Sequence, residues 1–128
     1  MNTALPSPRI DRSRVGRMLM TLFDHWQLST GEQLSLLGLS KDNRAALTKY
    51  REGRPLANDR DKLERAGILL GIHKALRLLF PHNRELAYGW MKRPNRAFGG
   101  LTPAQLIDEQ GLIGLHMVRA YLDRQRGR

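Results

Sequence analysis

Apolar residues recur at spacings of three and four in one segment after another, a periodicity that predicts an all-α protein. From Asp11 to Trp26, the residues Val15, Met18, Leu19, Leu22, Phe23 and Trp26 lay a single stripe on a first core helix. Its other face carries Arg12, Arg14 and Arg17 and reads as a solvated surface. Ser29 with Glu32 three residues later is a capping-box pattern, opening a short helix through Leu34, Leu36 and Leu37 that Gly38 can end. Ser40 is then expected to cap a third helix running toward Arg51, with Gly53 ending it and Pro55 preventing its resumption.

After a linker over residues 54–57, Asn58 and Asp59 start the longest predicted helix, which should stop near Phe80, before Pro81. Ile68, Leu69, Ile72, Ala75, Leu76 and Leu79 give it a broad apolar face, and Leu63, Ala66 and Leu70 form a second one. A helix apolar on two sides needs cover on both. The C-terminal helices should supply one side, and the N-terminal half or a second copy of the chain the other. Further helices are expected over residues 83–92, over residues 102–109, and after Gly111, where Leu115, Val118, Tyr121 and Leu122 recur.

Helix, glycine turn, helix is the order of a helix-turn-helix unit. At one hundred degrees per residue, Ala46, Leu47 and Tyr50 share one side of the third helix, while Lys41, Arg44, Ala45 and Thr48 share the other. That outer face has the chemistry to read DNA. Ser40 and Asn43 can donate to phosphate or base edges, Lys41, Arg44 and Lys49 supply cations, and Thr48 offers a methyl group to thymine.

Composition narrows the partners further. The 128 residues hold 22 Lys and Arg against 12 Asp and Glu, a net charge of +10, which favours a polyanion over an acidic small substrate. The excess is spread along the chain, +4 up to Leu56 and +6 beyond it, so bulk charge does not single out the third helix. With no cysteine there is neither a disulfide framework nor a thiolate zinc site. No apolar run approaches a membrane span, and Met1 to Pro8 lacks the pattern of a signal peptide, so a soluble, cytoplasmic protein is expected. His25, His73, His82 and His116 lack helical metal-pair spacing, and no phosphate loop or nucleophile elbow stands in context. No enzyme, metal or cofactor is therefore expected.

The stretch from Trp90 to Leu106 carries the most specific pattern. Pro94 bars Arg93 from helical geometry, Gly99 and Gly100 permit a sharp turn, and Thr102, Pro103 and Gln105 agree on a new helix start. Trp90, Pro94-Asn95, Phe98-Gly99-Gly100 and Thr102-Pro103 together resemble the signature of the toxin-binding region of the Xre/MbcA/ParS antitoxins. The preceding segment resembles the Xre-like helix-turn-helix that those antitoxins carry, with two departures. Leu34 stands where many such units keep alanine, and Arg44 where a branched apolar residue is usual.

Residues 1–8, with two prolines and small polar residues, are expected to form a disordered tail, and the resemblance implies a DNA-binding region over residues 9–57 and a toxin-binding region over residues 58–128. It implies an antitoxin that neutralises a RES-domain, NAD-consuming toxin and, as a homodimer or with the toxin, represses its own operon by binding operator DNA. Trp90, Pro94, Asn95 and Phe98 then shape the docking surface or the corner beneath it. Arg119, Arg124, Arg126 and Arg128 crowd the C-terminal end, where the resemblance puts the segment that occludes the toxin's active site.

Overall fold

Nearly every helix begins where a polar side chain accepts one of its free N–H groups. The computed structural model describes residues 10–127; the tail over residues 1–8 and Arg128, named above, lie outside them. Among the described residues all regular structure is helical, as the periodicity requires. The elements are α1 (Arg12–His25), α2 (Thr30–Leu36), α3 (Arg44–Arg51), α4 (Arg60–Leu79), α5 (Arg84–Gly89), two single 3-10 turns (Trp90–Lys92 and Arg96–Phe98), α6 (Pro103–Gln110) and α7 (Leu112–Arg126). Asp11, Asp59 and Asn83 accept from the third backbone N–H after them. Ser29 and Thr102 close full capping boxes with Glu32 and Gln105. Each such cap is worth about 1 kcal/mol.

Helix α4 is the axis of the molecule. Ala66, Leu69, Ile72, Ala75 and Leu76 are buried along it, with α7 packed on one side and α1 and α5 on others. Its two apolar faces are thus covered largely by its own chain. Helix α2 packs on α6, so the N-terminal helices and the C-terminal ones share one core that runs from Leu19 to Leu122. Trp26, Phe23 and several leucines in it are almost fully buried, each contributing about 1.5–3 kcal/mol of transfer free energy. The segment after α3 is fixed by a pair of bonds: Leu56 N–H donates to Arg12 O at 3.1 Å and the Arg12 guanidinium donates to Leu56 O at 2.9 Å. Gly16 of α1 lies beneath this strap, where a Cβ would make ordinary contact, 3.6 Å from Arg54 O.

Two expectations need correction. The third helix starts at Arg44, not behind Ser40, because Asn43 is its N-cap and accepts from Ala46 N–H at 3.3 Å. Residues 40–43 are spent on a turn of their own, in which Asn43 N–H donates to Ser40 O and Asp42 N–H to the Ser40 hydroxyl. The connection between α2 and α3 is therefore seven residues, 37–43, longer than a tight glycine turn. The helix expected over residues 83–92 is α-helical only to Gly89 and tightens into a 3-10 turn, since Pro94 forces Arg93 to the extended conformation (φ −103°, ψ 137°) just beyond it. Helix α7 runs on to Arg126.

Candidate functional site

The corner between α5 and α6 is built by local backbone bonds. Asn95 N–H donates to Leu101 O and Gly100 N–H to Asn95 O, both at 3.0 Å, while the Asn95 side chain accepts from Ala97 N–H at 2.9 Å. Gly99 (φ +66°) and Gly100 (φ +89°) close the turn in left-handed geometry that a side chain would strain. Pro94 is exposed at the tip and Asn95 half-buried beneath it. So Asn95 shapes the corner from inside, whereas Pro94 is available to a partner.

Trp90 and Phe98 meet Tyr121 of α7. Phe98 and Tyr121 have centroids 5.2 Å apart in a T-shaped contact, Trp90 stacks on Tyr121 at 6.1 Å, and Trp90 meets Phe98 edge-on at 6.4 Å. All three are half-buried. The cluster fastens the corner to the final helix and leaves aromatic surface open, and aromatic surface of this kind is enriched in protein interfaces. Tyr121 was read from the sequence only as a core position of α7.

On α7, Arg119 is not part of a loose end. Its guanidinium lies across Gly71 of α4, where a Cβ would collide with it, and bonds Asp123 at 3.1 Å. Arg126 reaches the same carboxylate at 3.8 Å. Arg124 is exposed and enters no ion pair among the described residues. Ile113 (66% exposed) and Met117 (43%) lie one turn apart on this helix, and Ala120 and Arg124 continue their line within roughly 60°. This apolar stripe ending in a free cation was missed in the sequence. Its signal was present, because Ile113 and Met117 fall off the Leu115, Val118, Leu122 face.

Helix α3 presents Arg44, Ala45, Thr48 and Lys49 to solvent and buries Leu47 and Tyr50, the division its periodicity predicts. Ser40, Lys41 and Asn43 precede the helix and do not continue that face. Lys41 is engaged elsewhere: its ammonium donates to Gly31 O at 3.1 Å and to Asp108 of α6 at 3.3 Å. Asp108 also accepts from the Ser35 hydroxyl at 2.7 Å. The Ser35 and Lys41 bonds hold the Asp108 carboxyl below the usual carboxylate range. A second clasp joins Lys92, in the corner, to the α2 capping-box residue Glu32 at 2.7 Å. Partial burial opposes ionisation of Glu32, but the bonds from Lys92 and Ser29 prevail and keep its pKa low.

Among the described residues no cluster of His, Cys, Asp or Glu has the makings of a metal site, and no helix is long and apolar enough to cross a membrane. What the arrangement offers is contact surface: an aromatic corner, an apolar stripe and cationic helix faces. The class defined is a helical interaction protein. Residues 75–128 match the family model for the antitoxin Xre/MbcA/ParS C-terminal toxin-binding domain, which contains the corner, α6 and α7. The chain is also 37% identical over 125 residues to the uncharacterized protein y4oB of Sinorhizobium fredii (strain NBRC 101917 / NGR234), covering 94% of this chain and 93% of that protein. The chain belongs to one family with that protein, and its residues 75–128 are similar to the toxin-binding domain of the Xre/MbcA/ParS antitoxins. A toxin is the partner such a domain implies.

Proposed function

We propose that the protein is the antitoxin of a type II toxin–antitoxin pair, neutralising a RES-domain, NAD-consuming toxin by direct binding and occlusion of its active site. The observation that carries this reading is the Trp90–Phe98–Tyr121 cluster, which ties the signature corner to α7 inside the matched region. The toxin docks on the exposed corner at Pro94 and along Ile113 and Met117. The end of α7 then reaches the toxin's pocket, with Arg124, the cation left unpaired there among the described residues, and Arg128 as the plugging side chains. A guanidinium so placed pairs with the acidic or backbone groups that hold a dinucleotide and excludes it.

The same protein represses its own operon. Residues 9–57 act as the DNA-binding region, with Arg44, Thr48 and Lys49 of α3 entering the major groove. Ser40 and Asn43 contact phosphate at its edge, joined by Lys41 when Asp108 releases it. A homodimer sets two such helices against half-sites about 34 Å apart. Support for this part comes from the outward polar face of α3 and from the resemblance of the N-terminal half to Xre-like units. Co-expression with the product of the adjacent gene, followed by copurification, tests the pairing. A stable complex lost in Met117→Glu is expected; failure of any RES-type neighbour to copurify overturns it.

A further inference from the structure

Helices α1, α4 and α5 wall a concave surface centred on Tyr88. Three adjoining hollows of about 520 Å³ each share this residue, a size typical of small-molecule sites. The half-buried Tyr88 ring lies parallel to His25, with centroids 4.5 Å apart at 7°, and parallel to His73, at 6.2 Å and 5°. Arg14 and Arg17 from α1, Lys74 and Arg77 from α4 and Arg84 from α5 line the walls. None of these five enters an ion pair among the described residues. Glu85 is the lone carboxylate among the lining residues.

His73 is pushed below the ordinary histidine range by burial first, and then by Arg77 and His25, two basic neighbours of its ring. Unpaired cations crowded in one concavity repel each other and draw in anions, while parallel aromatic and imidazole planes suit a nucleobase, whose stacking tolerates any base.

We propose that this groove is a binding site for a nucleoside polyphosphate, its phosphates held by Lys74, Arg77 and Arg84 and its base laid against the Tyr88–histidine stack. Arg14 and Arg17 close the opposite wall. The occupant is a free nucleotide and not a duplex, because the Tyr88–histidine stack offers planar surface to an unpaired base. One edge of the groove, at Lys92 and Arg93, adjoins the corner.

Proton NMR of the full chain tests this through its four histidine imidazoles, with ATP, inorganic pyrophosphate and a short random duplex as separate titrants. ATP should shift the His25 and His73 signals saturably and leave His116 in place, with an affinity above that of pyrophosphate. The double variant Arg77→Ala, Arg84→Ala, in which both side chains are exposed and the fold should survive, should weaken ATP about tenfold or more; Arg60→Ala, an exposed cation outside the groove, should leave ATP binding unchanged. Absence of a saturable shift, equal affinity for ATP and pyrophosphate, or movement of these signals by the duplex alone each overturns the assignment. An unchanged ATP affinity in a folded double variant does so too.

Discussion

Trp90 and Tyr121 stack with ring centroids 6.1 Å apart and planes 19° from parallel, so the signature corner and the last helix cannot move independently. Because Trp90 is half-buried and not sealed in the core, Trp90→Ala should cost about 2 kcal/mol, less than the roughly 3–5 kcal/mol of a fully buried ring. Trp90→Phe should recover most of it. Urea denaturation measures both, and a loss above about 4 kcal/mol in the alanine variant would place the ring in the core after all.

Two helical glycines should respond in opposite directions. A Cβ at Gly114 would sit 2.8 Å from Ile107 Cα and 2.9 Å from Leu106 O, both backbone atoms of α6, whereas Gly67 on α4 has nothing within 4 Å. Gly114→Ala should therefore force α6 and α7 apart and destabilise by about 1–3 kcal/mol. Gly67→Ala should gain up to about 1 kcal/mol of helix propensity. The pair is read in one denaturation series, and equal effects would contradict the α6–α7 packing.

For the proposed operator contact, Arg44→Ala should weaken specific binding by about 1–3 kcal/mol if the side chain reads a guanine. Asp108→Asn, by loosening Lys41, should leave that binding unchanged or tighter. Footprinting of the upstream region with both variants distinguishes the roles, and full protection by Arg44→Ala removes α3 as the recognition helix.

The Asp108 clasp also fixes a sign for pH. Its folded carboxyl pKa is depressed, by the Ser35 hydroxyl first and Lys41 next, so its contribution is complete above the unfolded carboxylate value and disappears as pH falls through the folded one. A carbon-detected carboxyl titration should show Asp108 ionising below the ordinary aspartate range. Ser35→Ala and Lys41→Ala should each move it back up, and a value unmoved by either variant would remove that residue from the clasp.

Much of this was legible in the chain because short-range chemistry decided it. The capping boxes at Ser29 and Thr102, the stop before Pro94 and the buried Leu47–Tyr50 side of α3 all follow from residues within one turn of each other. Ser40 and Asn43 are both good caps, so local chemistry does not choose between them, and the chain spends Ser40 on a separate turn before α3. No glycine marks the end of α1, where Gln27 itself takes φ +55°. Tyr121 joining Trp90, and Arg119 lying over Gly71, are products of the α4–α7 crossing, which periodicity does not specify. The Tyr88 groove, assembled from α1, α4 and α5, left no trace in local spacing at all.

The central claim is neutralisation of a toxin by the C-terminal part, and the most direct measurement is NAD consumption by the copurifying toxin titrated with the full chain and with a chain ending at residue 123. Arg124 is exposed and Arg126 makes one long ion pair, so the shortened chain should melt within a few degrees of the full one. The full chain should abolish NAD consumption at equivalence, while the shortened chain should still bind the toxin through Pro94, Ile113 and Met117 but leave most of the activity. Complete inhibition by the shortened chain would contradict occlusion by the end of α7, and absence of inhibition by the full chain would contradict the antitoxin reading itself.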